Sequence, residues 1–201
     1  MNNFPLTGFP TKGKATCMSL KLKMYGEVVL RERAKEVVEF TDTLADLVKE
    51  MYDVMYASYG IGLAAEQVGR TERLFVIDIP PESDVDSKGD RLHPDVKMPM
   101  VLINPVIESH SEETEQGTEG CLSFPGISGD IERWSEVDVA FFDEKGTPHA
   151  FHAKGLLARA IQHELDHLNG VLFIDRMSPV KKALLEGRLK RLARDTKRNQ
   201  S

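Results

Sequence analysis

The chain of 201 residues has only two cysteines, Cys17 and Cys121. Two are too few for a disulfide framework, so a reducing compartment with at least one working thiol is expected. No apolar run approaches the ~20 residues of a membrane span, and no membrane partner is expected. The N-terminus lacks a continuous apolar core, which argues against a secretory leader. No acid precedes Glu27, as in transit peptides. That stretch also lacks Arg and any amphipathic period, which argues against one. No internal repeat and no second domain is visible.

What is present is an ordinary globular balance, 41% hydrophobic and 29% charged, in a length suited to one domain. Residues 1–22 read as an irregular extension broken by Pro5, Gly8, Pro10 and Gly13. Residues 23–201 read as a single domain. Met18 is the expected functional start, with residues 1–17 dispensable. The net charge of −6 hides an asymmetry: residues 178–201 hold eight Lys or Arg against Glu186 and Asp195, a tail of +6 on a body of −12. A basic helix on an acidic body suits an acidic partner such as nucleic acid.

Thr41 or Asp42 can cap a helix whose apolar residues Leu44, Leu47, Val48, Met51, Val54 and Met55 follow helical spacing, with Gly60 as its stop. Leu74 to Ile79 reads as a buried strand. Pro80 to Met98 reads as an inert polar surface loop, and Val101 to Ile107 as a strand broken at Asn104-Pro105. Ser111 to Glu119 reads as acidic and solvent-facing. Strands follow at Ile131–Trp134, Val137–Phe142 and Pro148–Ala153. A helix is expected from Gly155 to Leu168, and a last helix after the cap Ser178-Pro179. The fold class is α+β: antiparallel strands around a central metal-binding helix, closed by a C-terminal helix.

The chemistry gathers at Gln162-His163-Glu164-Leu165-Asp166-His167. Residues four apart share a helix face, so His163 and His167 can aim at one ion while Glu164 handles a proton of water. A third ligand decides the class. Metzincins need a His where Phe173 stands. A thermolysin-like site needs a downstream Glu, for which Glu186 is the candidate by position. Cys121, in a Gly-Cys-Leu-Ser loop, is the better ligand. A thiolate and two imidazoles leave one position open, as in catalytic sites.

Gly60-Ile61-Gly62-Leu63-Ala64-Ala65-Glu66-Gln67, then Glu119-Gly120-Cys121-Leu122-Ser123, then Gln162 to His167 together resemble the three motifs of the peptide deformylase family, in the family's order. The resemblance runs from about Met24-Tyr25-Gly26 to the C-terminal helix. It implies removal of the formyl group from N-formylmethionyl nascent peptides, releasing formate. It implies one divalent ion on Cys121, His163 and His167: iron(II) natively, with zinc, nickel or cobalt able to replace it. Glu164 would be the catalytic acid–base. The Gln67 side-chain amide and the Leu122 backbone N–H would stabilise the oxyanion. Ile61 and Gly62 would pair with the substrate backbone, Arg133 would line the peptide path, and Leu156, Arg159 and Ala160 would shape the methionine pocket, with the Arg159 charge at the rim. A ribosome contact through the basic C-terminal helix, a monomer and a cytoplasmic, bacterial-type location are also implied, with an organellar location left open. The alternatives are an H-E-x-x-H metallopeptidase and a non-catalytic, metal-binding, ribosome-associated module. A retained Glu164 and Gln67 argue against the latter, since binding alone needs neither.

Overall fold

Thr41 starts the first helix by accepting the Leu44 N–H on its side chain at 3.4 Å, which satisfies one of the unpaired amides of the first turn. The helix, α1 (Asp42–Ala57), buries all six of its periodic apolar residues on one side. Each contributes up to about 1.5–3 kcal/mol when removed from water. Gly60 was the expected stop, but the left-handed residue is Tyr59, with φ 58°. The computed structural model describes residues 20–200. The expected start at Met18 and nearly all of the expected extension lie outside the described residues. Leu20 and Leu22 pack against the α1 core.

Beyond α1 the described residues form two sheets. A five-stranded antiparallel sheet contains β1 (Gly62–Ala64), β2 (Leu74–Ile77), β3 (Met100–His110), β6 (Glu136–Phe142) and β7 (Pro148–Lys154), in the order β1-β2-β3-β6-β7. A separate hairpin pairs β4 (Thr114–Gly120) with β5 (Ser128–Trp134). The continuous apolar run of β2 is explained by cover on both faces: Leu74 and Val76 face the α1 cluster, while Phe75 and Ile77 face the opposite one.

That opposite face is covered by α2 (Gly155–Leu168), which buries Leu157, Ile161 and Leu168 against Leu102 and Val139. A third cluster of Phe124, Ile131, Phe173 and Leu189 joins the hairpin to α3 (Phe173–Arg176) and α4 (Pro179–Gln200). The central helix is therefore held between the large sheet and the hairpin.

Three expectations change. β3 is not broken at Asn104-Pro105 but runs on with a register shift between Ile103 and Val106. Asn104 takes φ 50°, which its short polar side chain tolerates, and its amide bonds both the N–H and the C=O of Val37 at 2.9 and 2.8 Å. The acidic stretch 111–119 is largely strand β4, and its last residue, Glu119, is buried. Its alternation hides the inward carboxylate among exposed ones.

The third change is the 80–98 segment, which does not border the groove described below yet is tied to the fold. Asp84 and His93 are buried. His93 Nε2 accepts the Lys154 N–H at 3.1 Å, so Nδ1 carries the proton and donates to Asp84 at 2.5 Å. Lys154 is the residue from which α2 departs. His93→Ala should therefore lower folding stability by about 1–3 kcal/mol, the cost of leaving a buried donor and acceptor unpaired. Equilibrium denaturant unfolding checks this, and no change in midpoint would refute the clamp.

Candidate metal centre

Two imidazoles and a thiol converge because α2 places His163 and His167 one turn apart and the loop after β4 brings Cys121 across from them. One donor atom from each of Cys121, His163 and His167 lies within 4.8 Å of the others. Cys121 Sγ stands 3.3 Å from His167 Nε2. Burial lowers the His167 pKa, and the nearby His163 and Arg133 lower it further, so His167 stays neutral with a free lone pair. Burial would lower His163 too, but bonds to Cys121 and Glu119 outweigh it and hold it well above its usual value. Soft thiolate with imidazole suits iron, zinc, nickel or cobalt, so the donor set fits a divalent transition metal.

The orientation of His163 comes from Glu119. His163 Nδ1 donates to Glu119 at 2.8 Å, which leaves Nε2 free to face the donors. Glu119 is in turn gripped by Arg133 through two bonds of 2.9 Å and by Arg159 at 3.0 Å. Arg133 also bonds Asp166 at 2.5 Å, and Arg176 holds Asp166 at 2.5 and 3.1 Å.

The resemblance implied that Arg133 lines the peptide path; the structure places it, 5% exposed, behind the metal donors and off the groove wall. Two buried carboxylates claim its guanidinium. Arg159 does border the groove, but its head is tied to Glu119, to Ile131 O at 3.0 Å and to Glu115 O at 2.8 Å instead of resting at the rim. Glu119 and Asp166 were visible as motif letters. No sequence signal marked them as anchors, because their partners come from distant segments.

Glu164 stands beside the ligands, buried, with Oε2 lacking a partner among the described residues. Burial pushes its pKa up to about 7, with His163 and Arg133 pulling the other way. A carboxylate poised there can both take and release a proton near neutrality. Gly62 lies directly against it: a Cβ at position 62 would collide with Glu164 Oε1. Gln67 is fixed by the Ala64 N–H, which donates to its Oε1 at 2.8 Å. Its Nε2 must then point inward, where it lies 3.3 Å from Cys121 Sγ and 3.4 Å from Ser123 Oγ.

These residues open onto a groove of about 830 Å³ that also takes in Ile61, Leu122, Leu156 and Ala160. The Ile61 carbonyl accepts from Asp78 N–H at 2.9 Å and so points toward β2. By strand alternation the N–H and C=O of Gly62 face the other way, on the free edge of β1. Gly62 offers backbone and Ile61 offers side chain. The rival third ligands stay out: Phe173 is buried against Phe124, and Glu186 is exposed and paired with Lys190.

The family model for polypeptide deformylase matches residues 19–183. A peptide deformylase of Opitutus terrae is 45% identical over 184 residues, covering 90% of this chain and 96% of that one. One from Picosynechococcus is 45% identical over 166 residues, covering 83% of each. Among solved structures, a peptide deformylase of Plasmodium falciparum is 40% identical with a TM-score of 0.78, covering 90% of this chain and 99% of that one. One of Synechococcus elongatus in complex with actinonin is 43% identical with a TM-score of 0.74, covering 88% and 91%.

Glu119→Gln should weaken metal affinity about 10–100-fold, the usual cost of losing a ligand's outer partner. Competition with a chelator reads this directly, and unchanged affinity would remove Glu119 from the metal centre.

Proposed function

The chain belongs to the polypeptide deformylase family, and we propose a division of labour among its residues for that family's reaction. The enzyme is a metal-dependent hydrolase that removes N-formyl groups from nascent peptides. The observation that carries the assignment of roles is the meeting of three metal donors with the inward Gln67 amide and a buried Glu164 oxygen without a partner among the described residues.

Cys121, His163 and His167 hold the ion. When bound, it supplies Lewis acidity, lowering the pKa of water and polarising a carbonyl. The formylated chain end lies along the free edge of β1, pairing with Gly62 as an added strand. Ile61, Leu156, Ala160 and the stem of Arg159 surround the methionine side chain, and apolar stems suit that purpose. Gln67 Nε2 and the Leu122 N–H receive the negative charge that develops on the formyl oxygen. One such donor contributes roughly 2.7–4 kcal/mol in comparable sites. Glu164 takes the proton from the attacking water and gives it to the leaving amine, so formate and a free amino terminus result.

The ion in this reading is iron(II), and zinc, nickel or cobalt can occupy the same donors. A thiolate ligand makes the centre sensitive to oxidation. Residues 23–201 form the catalytic domain, and residues 1–17 ahead of Met18 are dispensable. The protein works as a monomer in the cytoplasm. No helix among the described residues is long and apolar enough to cross a membrane.

The deciding experiment is formate release from a formyl-methionyl peptide by anaerobically purified protein, before and after chelation. Activity should vanish on chelation and return with iron(II). No formate from metal-replete protein would overturn the reading. Glu164→Ala should keep its metal and lose about 10²–10⁴-fold in turnover; near-normal turnover would reject the proton role.

The basic face of α4 docks on the ribosome in the same reading. Deleting α4 is a poor test, because Leu189 is buried in the core. Lys190, Arg191 and Arg194 are exposed, so reversing all three to Glu should weaken ribosome co-sedimentation and flatten its salt dependence. Unchanged binding would discard the docking idea.

A further inference from the structure

Four buried side-chain atoms have no hydrogen-bond partner among the described residues: both oxygens of Glu66, Oε2 of Glu164 and Nδ1 of His167. The reaction gives Glu164 a task and gives Glu66 none. Glu66 is fully buried on the short helical turn Ala65–Val68 that follows β1, and it does not border the groove. An isolated carboxyl in such a place is costly, and buried polar groups are paired as a rule.

His167 is the complementary group. Its Nε2 lies 3.3 Å from Cys121 Sγ, so a metal on that side leaves the ring proton on Nδ1. A ligating histidine almost always donates that second N–H. His163 does so, to Glu119 at 2.8 Å. His167 carries a buried donor without an acceptor, and Glu66 carries two buried acceptors.

The fold brings the two groups together. The Ala65–Val68 turn packs on α2 and on the turn Val28–Arg31. Beyond burial, His163 and Arg133, the charge of Arg31 also lowers the His167 pKa, so that second turn lies near His167. Burial and then the charge of Glu164 push the Glu66 carboxyl up to about 8, against the pull of Arg73. Arg73 reaches the end of α2, where it bonds Leu168 O at 3.4 Å and Asn169 Oδ1 at 3.1 Å. Glu66 therefore faces the stretch of α2 between Glu164 and the helix end. His167 stands in that stretch, about 4.5 Å along the axis from Glu164.

We propose that Glu66 is a positioning residue for the metal centre: through one buried water it accepts the Nδ1–H of His167 and holds that ring with Nε2 toward the ion. Glu119 does the same for His163 by direct contact. A buried water with polar partners on both sides is an ordinary structural element. The inference rests on the metal-dependent reading above and adds a second outer partner to it.

The test loads the full chain with cobalt(II) and measures its affinity by competition with a chelator, together with its visible absorption. Glu66→Leu should weaken binding about tenfold, the lower end of the cost of losing an outer partner, and shift the cobalt bands. Glu66→Gln keeps a carbonyl acceptor and should bind as tightly as the wild type. A purely structural Glu66 predicts otherwise, because replacing an unpaired buried carboxyl with leucine would leave affinity alone and steady the fold. Unchanged affinity and bands in Glu66→Leu, or a Glu66→Gln as weak as Glu66→Leu, overturns the proposal. Should Glu66→Leu fail to fold, histidine-selective nitrogen NMR of the zinc-loaded wild type and Glu66→Gln decides. The His167 Nδ1–H signal should move while that of His163 stays, and an unmoved His167 signal overturns the proposal. These failures leave the deformylase reading intact, whereas a wild type that binds no cobalt(II) overturns the metal centre as well.

Discussion

The buried carboxylate of Glu119 is the contact on which the site depends. It comes from the end of β4, and its partners come from β5 and α2: Arg133, Arg159 and His163. Burial alone would raise its pKa. The bonds to Arg133 and His163 outweigh this and hold it down to about 2, so it stays ionised. An ionised group in that position does two things. It locks the hairpin onto the central helix, and it fixes which nitrogen of His163 faces the other donors. A lone buried charge would be costly, but here each oxygen is satisfied by charged donors. Asp166 repeats the device on the next turn, between Arg133 and Arg176. The ligands thus rest on a layer of paired charges instead of on apolar packing, which could not set their rotation.

The second constraint is distance. The edge strand β1 comes close enough to α2 for Gly62 to lie against Glu164. Only glycine at position 62 permits that approach. The same segment turns at once into the short helical turn Ala65–Val68, which carries Gln67 back over Cys121. A single run of eight residues therefore supplies both the free strand edge and the inward amide of Gln67. The sheet behind it is covered on both faces, so this edge has little freedom to shift.

The periodic features could be read directly from the residues. The spacing of Leu44 to Met55, the cap at Thr41, the apolar run of β2 and the helix 155–168 all express local rules of period and capping, and the structure follows them. The pairing of His163 with His167 is of the same kind, since a four-residue interval determines a shared face. Departures occur where a distant partner decides. Asn104 continues a strand because Val37 accepts its amide. His93 folds a polar loop inward because Lys154 offers an N–H. Arg133 turns away from the groove because Glu119 and Asp166 both claim it.

By itself the amino-acid sequence determined the fold class, the metal-binding helix, the choice of Cys121 over Phe173 and Glu186, and the three motifs that carry the family. All of these reside in residue type and spacing along one segment. Only the tertiary structure decided which side chains support those residues: Glu119 on His163, Ala64 on Gln67, and Gly62 against Glu164. It also decided that Tyr59, and not Gly60, takes the left-handed turn at the mouth of the groove. The physical reason is that orientation depends on hydrogen bonds and close approaches between segments far apart in the chain, and no local period encodes where those segments meet.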